Sequence, residues 1–426
     1  MLRPMPESPP LAAALLAAST AIAAVISGRS LDAALTGLSA TIRPAVQDLA
    51  YGALRLYGRG DFFLDRLLQS PLQNQQVRGL LLAALYRLES RTEDAHTTVD
   101  QAVTAAQSIA TGRFKGLVNG VLRNSLRQHA LLSLAAVENE VAHWQHPQWW
   151  ITKLRNSFPD TWQQVLTAAN MRPSMCLRIN KRKCDGPTYL ARLIEANIGA
   201  RALDDCAILL DKPQNVDTLP GFFEGVVSVQ DWGAQRAAVL LDTQPGMRVL
   251  DACAAPGGKT AHLLELSDLD VTAIDADAKR LGRVTDNLSR LGLSATLKTA
   301  DCRATDTWWD GRPFQRILAD VPCSASGVVR RHPDAKWLRR ASDIAKFAVT
   351  QREILDALWQ VLAPGGKMLY CTCSVFAEEN SLQISAFVAR HPDAERSATG
   401  GIENELQLNP SAEHDGFYYT LLAKRG

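Results

Sequence analysis

No cysteine occurs before position 176 in this chain of 426 residues. The eight that follow (Cys176, Cys184, Cys206, Cys253, Cys302, Cys323, Cys371 and Cys373) include no CxxC or CxxH pair. That spacing argues against a structural zinc site, so no metal is expected. Thiols crowded into one part of a long chain also make a poor disulfide framework, and a reducing cytoplasm suits them better. An excess of one charge is missing too. With 46 basic and 44 acidic residues the net charge is +2, so any nucleic-acid surface must come from local clustering. Residues 8–28 are the one long stretch without charge, around "LAAALLAASTAIAAVIS". Alanine and threonine insert poorly into membranes and the flanks carry few charges. The expectation is therefore a buried, alanine-rich helix of an all-α domain, with no membrane partner.

What is present divides into three textures. Residues 1–140 show apolar positions at three- and four-residue spacing, as in "PAVQDLAYGALRLYGRGDFFLDRLLQS", with no strand-like alternation. Between Gln101 and Val137 there is no acid, while Arg113, Lys115, Arg123 and Arg127 are all present. One-sided charge of this kind suits RNA phosphates as well as a solvated helix face. Residues 141–225 read as a small α+β module: "CLRIN" alternates like a strand, "PTYLARLIEANI" like a helix, and "LPGFFEGVVSVQD" closes the unit. Its Arg178 and Lys181 lie in a second acid-free stretch and are candidate backbone contacts for a nucleic acid. From 226 to 426 strands and helices alternate, which predicts an open, doubly wound, largely parallel α/β sheet. The polar motifs all fall at strand carboxyl ends, where such sheets bind ligands.

The first of these motifs, "DACAAPGGKT" (251–260), is neither GxGxxG nor a phosphate-cradling P-loop. Its glycines let backbone approach a ligand closely ahead of a helix N-terminus. Asp275 ends the next strand, where a carboxylate takes two ribose hydroxyls, and Asp301 ends the third, where it can orient an adenine. Together they indicate an adenosine-bearing ligand without pyrophosphate, which is S-adenosylmethionine. Two thiols end two further strands, in "DVPCSASGVVRRHPD" and "CTCSVFAEEN", each followed by serine. Carbon-5 of a pyrimidine is not nucleophilic until another group adds at carbon-6, and a thiolate suits that addition. The adduct then needs a second group to remove the carbon-5 proton. Asp320, three residues before Cys323, is placed to address the opposite ring nitrogen.

These three motifs resemble motifs I, IV and VI of the RNA 5-methylcytosine methyltransferases, the Sun/NOL1/NOP2 family. The helical first third, "RPSMCLRIN" and "LPGFFEGVVSVQD" are similar to the arrangement of bacterial members that modify 16S ribosomal RNA, whose helical domain is NusB-like. The resemblance implies a class I, Rossmann-like catalytic domain behind that NusB-like domain and the small module. It also implies a monomer acting on unassembled small-subunit RNA, with Cys373 as nucleophile and Cys323 assisting release. The cofactor site would be Cys253, Ala254, Ala255, Pro256, Gly257, Gly258 and Lys259, completed by Asp275, Asp301 and Asp320. Arg330, Arg331 and Lys336, after the first thiol motif, are expected to meet RNA phosphates, while Glu378 and Glu379 read as first-turn helix acids. Methylation of tRNA or another RNA is the near alternative, and a non-catalytic RNA-binding scaffold the distant one. An N-methyltransferase would favour a [DN]PPY-like sequence where "DVPC" stands, and in DNA cytosine-5 enzymes the cysteine equivalent to Cys323 attacks.

Overall fold

The computed structural model describes residues 10–398, 400–401 and 403–426; the start of the uncharged stretch, at 8 and 9, lies outside them. The chain forms two compact units. One comprises Met1–Met171 together with Val329–Arg340, the other Arg172–Val328 with Ala341–Gly426.

The first unit is helical. Leu11–Ile26 is a 16-residue helix that buries Ala14, Leu15, Ala18, Ile22 and Val25, so the alanine-rich stretch is a core helix as expected. Small side chains let neighbouring backbones approach. On the helix Gln75–Ser90, a Cβ at Gly79 would sit 2.5 Å from the Ser19 carbonyl oxygen. Among the described residues no helix is long and apolar enough to cross a membrane. The helical texture runs past the expected boundary at 140, through Gln148–Ser157 and Trp162–Asn170.

The unit also takes in the distant segment Val329–Arg340, and several bonds fix it there. The Asp334 carboxylate accepts the Leu31 N–H at 2.9 Å, and Trp337 Nε1 donates to the Leu54 carbonyl at 2.9 Å. Arg55 donates to the Arg330 carbonyl at 2.9 Å. Lys336 is fully buried, its Nζ donating to Asn170 Oδ1 at 2.8 Å and the Arg55 carbonyl at 3.2 Å.

The second unit holds two sheets. The smaller has the order β2-β3-β1-β4 (β1, Met175–Ile179; β2, Ala200–Ala202; β3, Ala207–Leu210; β4, Val227–Val229), with the helix Gly186–Glu195 against it. Asp185 caps that helix by accepting the Thr188 N–H. The larger sheet is eight-stranded: β5 (Arg248–Ala252), β6 (Asp270–Asp275), β7 (Thr296–Thr299), β8 (Phe314–Asp320), β9 (Leu362–Thr372), β10 (Ala394–Arg396), β11 (Leu406–Leu408) and β12 (Phe417–Lys424). Its order is β10-β12-β9-β8-β5-β6-β7, with β11 on β12. Strands β5 to β9 pair in parallel, while β12 runs antiparallel beside β9. Residues 249–252 of β5, 316–319 of β8 and 368–372 of β9 are buried, as parallel strands covered on both faces must be. The strand order reverses between β5 and β8, so a crevice opens at their carboxyl ends.

Candidate active site

The loop 253–259 leaves β5 at that crevice. Cys253 has φ +64° and Gly257 φ +94°, the left-handed conformation that ends the turn before the helix Gly258–Leu266. A Cβ on Gly257 would come within 3.0 Å of the Val284 Cα, so only glycine fits. The loop is tied to β6 by the Ala254 N–H to the Ile274 carbonyl (2.8 Å) and the Ala255 N–H to Asp275 Oδ2 (3.1 Å). Arg280 donates to the Ala255 carbonyl and Asn287 reaches that of Pro256. Asp275 is buried, and its other oxygen accepts the Asp277 N–H at 3.0 Å. Each carboxylate oxygen thus accepts one backbone hydrogen bond, with the Arg280 guanidinium 3.7 Å from Oδ1, and keeps a lone pair for another donor. Asp301, two residues beyond β7, is gripped by Arg303 through two nitrogens, which holds its carboxyl below the usual range.

Asp320 ends β8 and pairs with Lys259 of the glycine loop; its Oδ1 accepts the Cys371 thiol at 3.4 Å. Burial opposes charge on Lys259, but Asp320 beside it holds its pKa above the usual lysine value. Cys371 is fully buried at the end of β9, and burial with the Asp320 charge pushes its thiol pKa up. It is a packing residue in contact with the site. Burial also pushes Asp251, in β5, up to about 7; Thr260 Oγ1 donates to its Oδ2, and among the described residues Oδ1 has no hydrogen-bond partner.

The two thiols expected to react are brought together. Cys323 lies just beyond β8 and Cys373 just beyond β9, with their Sγ atoms 3.4 Å apart. The loops are joined by the Gly327 N–H to the Cys373 carbonyl at 2.8 Å. Cys323 has its pKa raised by the hydrogen bond to Cys373, then by burial and the nearby charges of Cys373 and Glu379. Cys253 lies 3.9 Å, sulfur to sulfur, from Cys302 and is not part of this pair.

Several expectations are corrected. Arg178 is no surface cation: its guanidinium is buried, bidentate on Glu265 at 2.7 and 2.8 Å, with a further bond to the Gly258 carbonyl at 2.8 Å. Arg330 and Lys336 are likewise buried in the helical unit, out of reach of a phosphate, and Arg331 is half-buried there. Burial drives the Lys336 pKa well below the usual lysine value, with the Arg55 charge adding to it. Glu379 is not a solvated helix acid but fully buried. Arg113, Lys115, Arg123 and Lys181 are exposed. Lys115 and Arg123 line one cavity of about 550 Å³ with His96 and Asn119. Sequence reasoning missed the Glu379 carboxylate as a partner of both thiol loops; the serine after each cysteine was the available signal.

Comparison with known proteins gives three consecutive family matches. Residues 11–127 match the NusB family, 146–217 a ferredoxin-like domain of RsmF/B-like methyltransferases, and 238–423 the 16S rRNA methyltransferase RsmB/F family. The chain is 44% identical to ribosomal RNA small subunit methyltransferase B of Vibrio cholerae, over 96% of its own length and 97% of that protein's. It is also 44% identical to the protein of that name from Pseudomonas putida, over 96% and 98%. The crystal structure of PH0851 superposes with a TM-score of 0.80 at 24% identity, covering 98% of this chain and 99% of that one, a likeness of fold.

Proposed function

Because the chain belongs to the 16S rRNA methyltransferase RsmB/F family, we propose that it methylates carbon-5 of a cytosine in 16S ribosomal RNA, from S-adenosylmethionine and through a covalent adduct to Cys373. The chain is an rRNA methyltransferase. The observation that carries the chemical detail is the pair of thiols 3.4 Å apart at neighbouring strand ends, beside the Lys259–Asp320 pair.

The crevice suits the cofactor: the loop 253–259 runs into the N-terminus of the helix Gly258–Leu266, and Asp275 keeps one lone pair per oxygen for a diol. That loop, with Asp275, Asp301 and Asp320, would hold S-adenosylmethionine, which would supply an electrophilic methyl group. The Cys373 thiolate forms a bond from sulfur to carbon-6, and the displaced electrons move onto the ring nitrogen. Lys259 and Asp320, an ammonium beside a carboxylate, hold a proton at that nitrogen edge. The resulting enamine is nucleophilic at carbon-5. Once carbon-5 carries methyl, Cys323, having released its own thiol proton to solvent, takes the carbon-5 proton on its sulfur. The double bond re-forms, the carbon–sulfur bond breaks to return the electrons to Cys373, and the ring-nitrogen proton goes back to the Lys259–Asp320 pair. The hydrogen bond to Cys373 is the largest influence keeping Cys323 protonated. In the adduct the Cys373 sulfur is a thioether, which removes that influence, while burial and the Glu379 charge still act on Cys323.

The exposed Arg113, Lys115, Arg123 and Lys181 supply phosphate contacts for the RNA, which is unassembled small-subunit RNA in the cytoplasm, bound by a single chain. The test is to map 5-methylcytosine in 16S RNA from a strain lacking this protein. One cytosine should lose its methyl group and regain it on complementation; an unchanged map refutes the reading.

A further inference from the structure

Both thiol loops are fastened to a single buried carboxylate. Glu379 Oε2 accepts the hydroxyls of Ser324 and Ser374, each at 2.5 Å, and Oε1 accepts the Ser324 N–H at 2.8 Å and Gln351 Nε2 at 3.1 Å. Ser324 and Ser374 are the residues immediately after Cys323 and Cys373. The residues before the cysteines are held from the same side. Gln351 Nε2 donates to the Pro322 carbonyl at 3.0 Å, and Thr372 Oγ1 donates to Oδ1 of Asn380, the neighbour of Glu379, at 2.6 Å. Each thiol is therefore bracketed. A third hydroxyl, Ser326 Oγ, lies 3.0 Å from both serine oxygens and accepts the Val375 N–H at 2.9 Å. The backbone that carries this carboxylate is anchored too, since Tyr370 of β9 donates to the Glu379 main-chain carbonyl at 2.6 Å.

Four donors on two carboxylate oxygens match what a buried carboxylate requires, and Glu379, Ser324, Ser374 and Gln351 are all fully buried. Such charge-assisted bonds are stronger and geometrically narrower than neutral ones. Simple core packing does not call for donors from two loops to meet on one acid; holding two sulfurs at a set separation does.

We infer that Glu379 is a positioning residue for methyl transfer, whose carboxylate locks the Cys323 and Cys373 loops in register so that one thiol attacks and the other collects the proton from the same ring. This rests on the thiol chemistry proposed above. Glu379 touches no substrate atom in this account and acts through the two serines.

The experiment compares Glu379→Gln and the double variant Ser324→Ala/Ser374→Ala with the unaltered full-length protein on 16S RNA. The unaltered protein must first form 5-methylcytosine, and Cys323→Ala must trap a protein–RNA adduct; failure there overturns the thiol chemistry itself. Given that, single-turnover methylation at saturating RNA and S-adenosylmethionine should fall roughly 10- to 100-fold in Glu379→Gln, the scale on which a misplaced reacting group costs rate. KM for RNA and the calorimetric Kd for S-adenosylmethionine should stay within about twofold of the unaltered protein, since uniform binding is untouched. Adduct accumulation in Cys323→Ala/Glu379→Gln should slow by the same order relative to Cys323→Ala. The serine double variant keeps the carboxylate but severs both hydroxyl tethers, and should show the same split. If Glu379→Gln does not fold, the serine variant decides alone. Turnover within twofold of the unaltered protein, or a loss explained by weaker RNA and cofactor binding, overturns the positioning role.

Discussion

Arg178 and Asp275 are both buried charges of the catalytic unit, and their partners set them apart. The Arg178 guanidinium is spent on Glu265, whose side chain is also buried. Arg178→Ala leaves that carboxylate desolvated and unpaired, so urea unfolding should show a loss of roughly 3–5 kcal/mol. The salt dependence of RNA binding by the folded fraction should not change, which separates this residue from Lys115 or Arg123. Asp275 keeps acceptor capacity for a ligand. Asp275→Ala should raise the S-adenosylmethionine Kd about tenfold or more if two bonds of ~1 kcal/mol each are lost. Calorimetry on the folded variant decides it. The thiols divide likewise: Cys373→Ala should form no adduct, whereas Cys323→Ala should methylate once and stall as an adduct requiring S-adenosylmethionine. The reverse pattern on denaturing gels reverses the roles. Asp251 adds a pH signature. Its folded pKa of about 7 lies above the ordinary 3.8, so the folded state binds the extra proton. Its contribution is fully present below the ordinary value and is lost as pH rises through about 7. Asp251→Asn should flatten that decline in a urea-midpoint series across the window, and an unaltered slope contradicts it.

At the scale of elements, the glycine loop and the two thiol loops show what a chain announces and what it conceals. The strand–loop–helix rhythm of the catalytic unit was legible because its apolar runs end in polar motifs, and the sheet places Gly257, Asp275, Asp320, Cys323 and Cys373 at one set of strand ends. Gly257→Ala tests the tightest of these turns. The left-handed backbone alone costs ~1–2 kcal/mol with a Cβ, and the approach to Val284 adds to it. A denaturation midpoint equal to that of the unaltered protein would contradict this. The tether at Glu379 was not legible, since Ser324 and Glu379 are 55 residues apart and local pattern makes the glutamate a helix acid. Arg178 was misread for the same reason: its partner lies 87 residues away. Local spacing reports which face of an element is apolar. It does not report which charge will find a mate inside.

For the whole molecule the governing fact is that the helical unit is not one continuous stretch of chain. Val329–Arg340 follows directly on the Cys323 loop, contributes Asp334, Lys336 and Trp337 to the helical unit, and then returns at the helix Ala341–Val361. A truncation removing residues 1–140 therefore does more than subtract the exposed cations Arg113, Lys115 and Arg123. It strips buried Arg330 and Lys336 of their surroundings, so the product should aggregate or lose cofactor affinity as well as RNA affinity. A well-folded truncate with unaltered calorimetric binding of S-adenosylmethionine contradicts that.

The same excursion has a consequence in time. During synthesis the helices up to Met171 leave the ribosome first, but the strip that completes their unit ends at Arg340, about 170 residues later. At about 5–20 residues per second that is a wait on the order of 10–30 s. Through that interval the nascent amino-terminal unit presents an unfilled seat to the crowded cell. It is then closed by a piece of chain that emerges directly behind Cys323, so that the helical unit is finished only after the first of the two paired thiols has been translated.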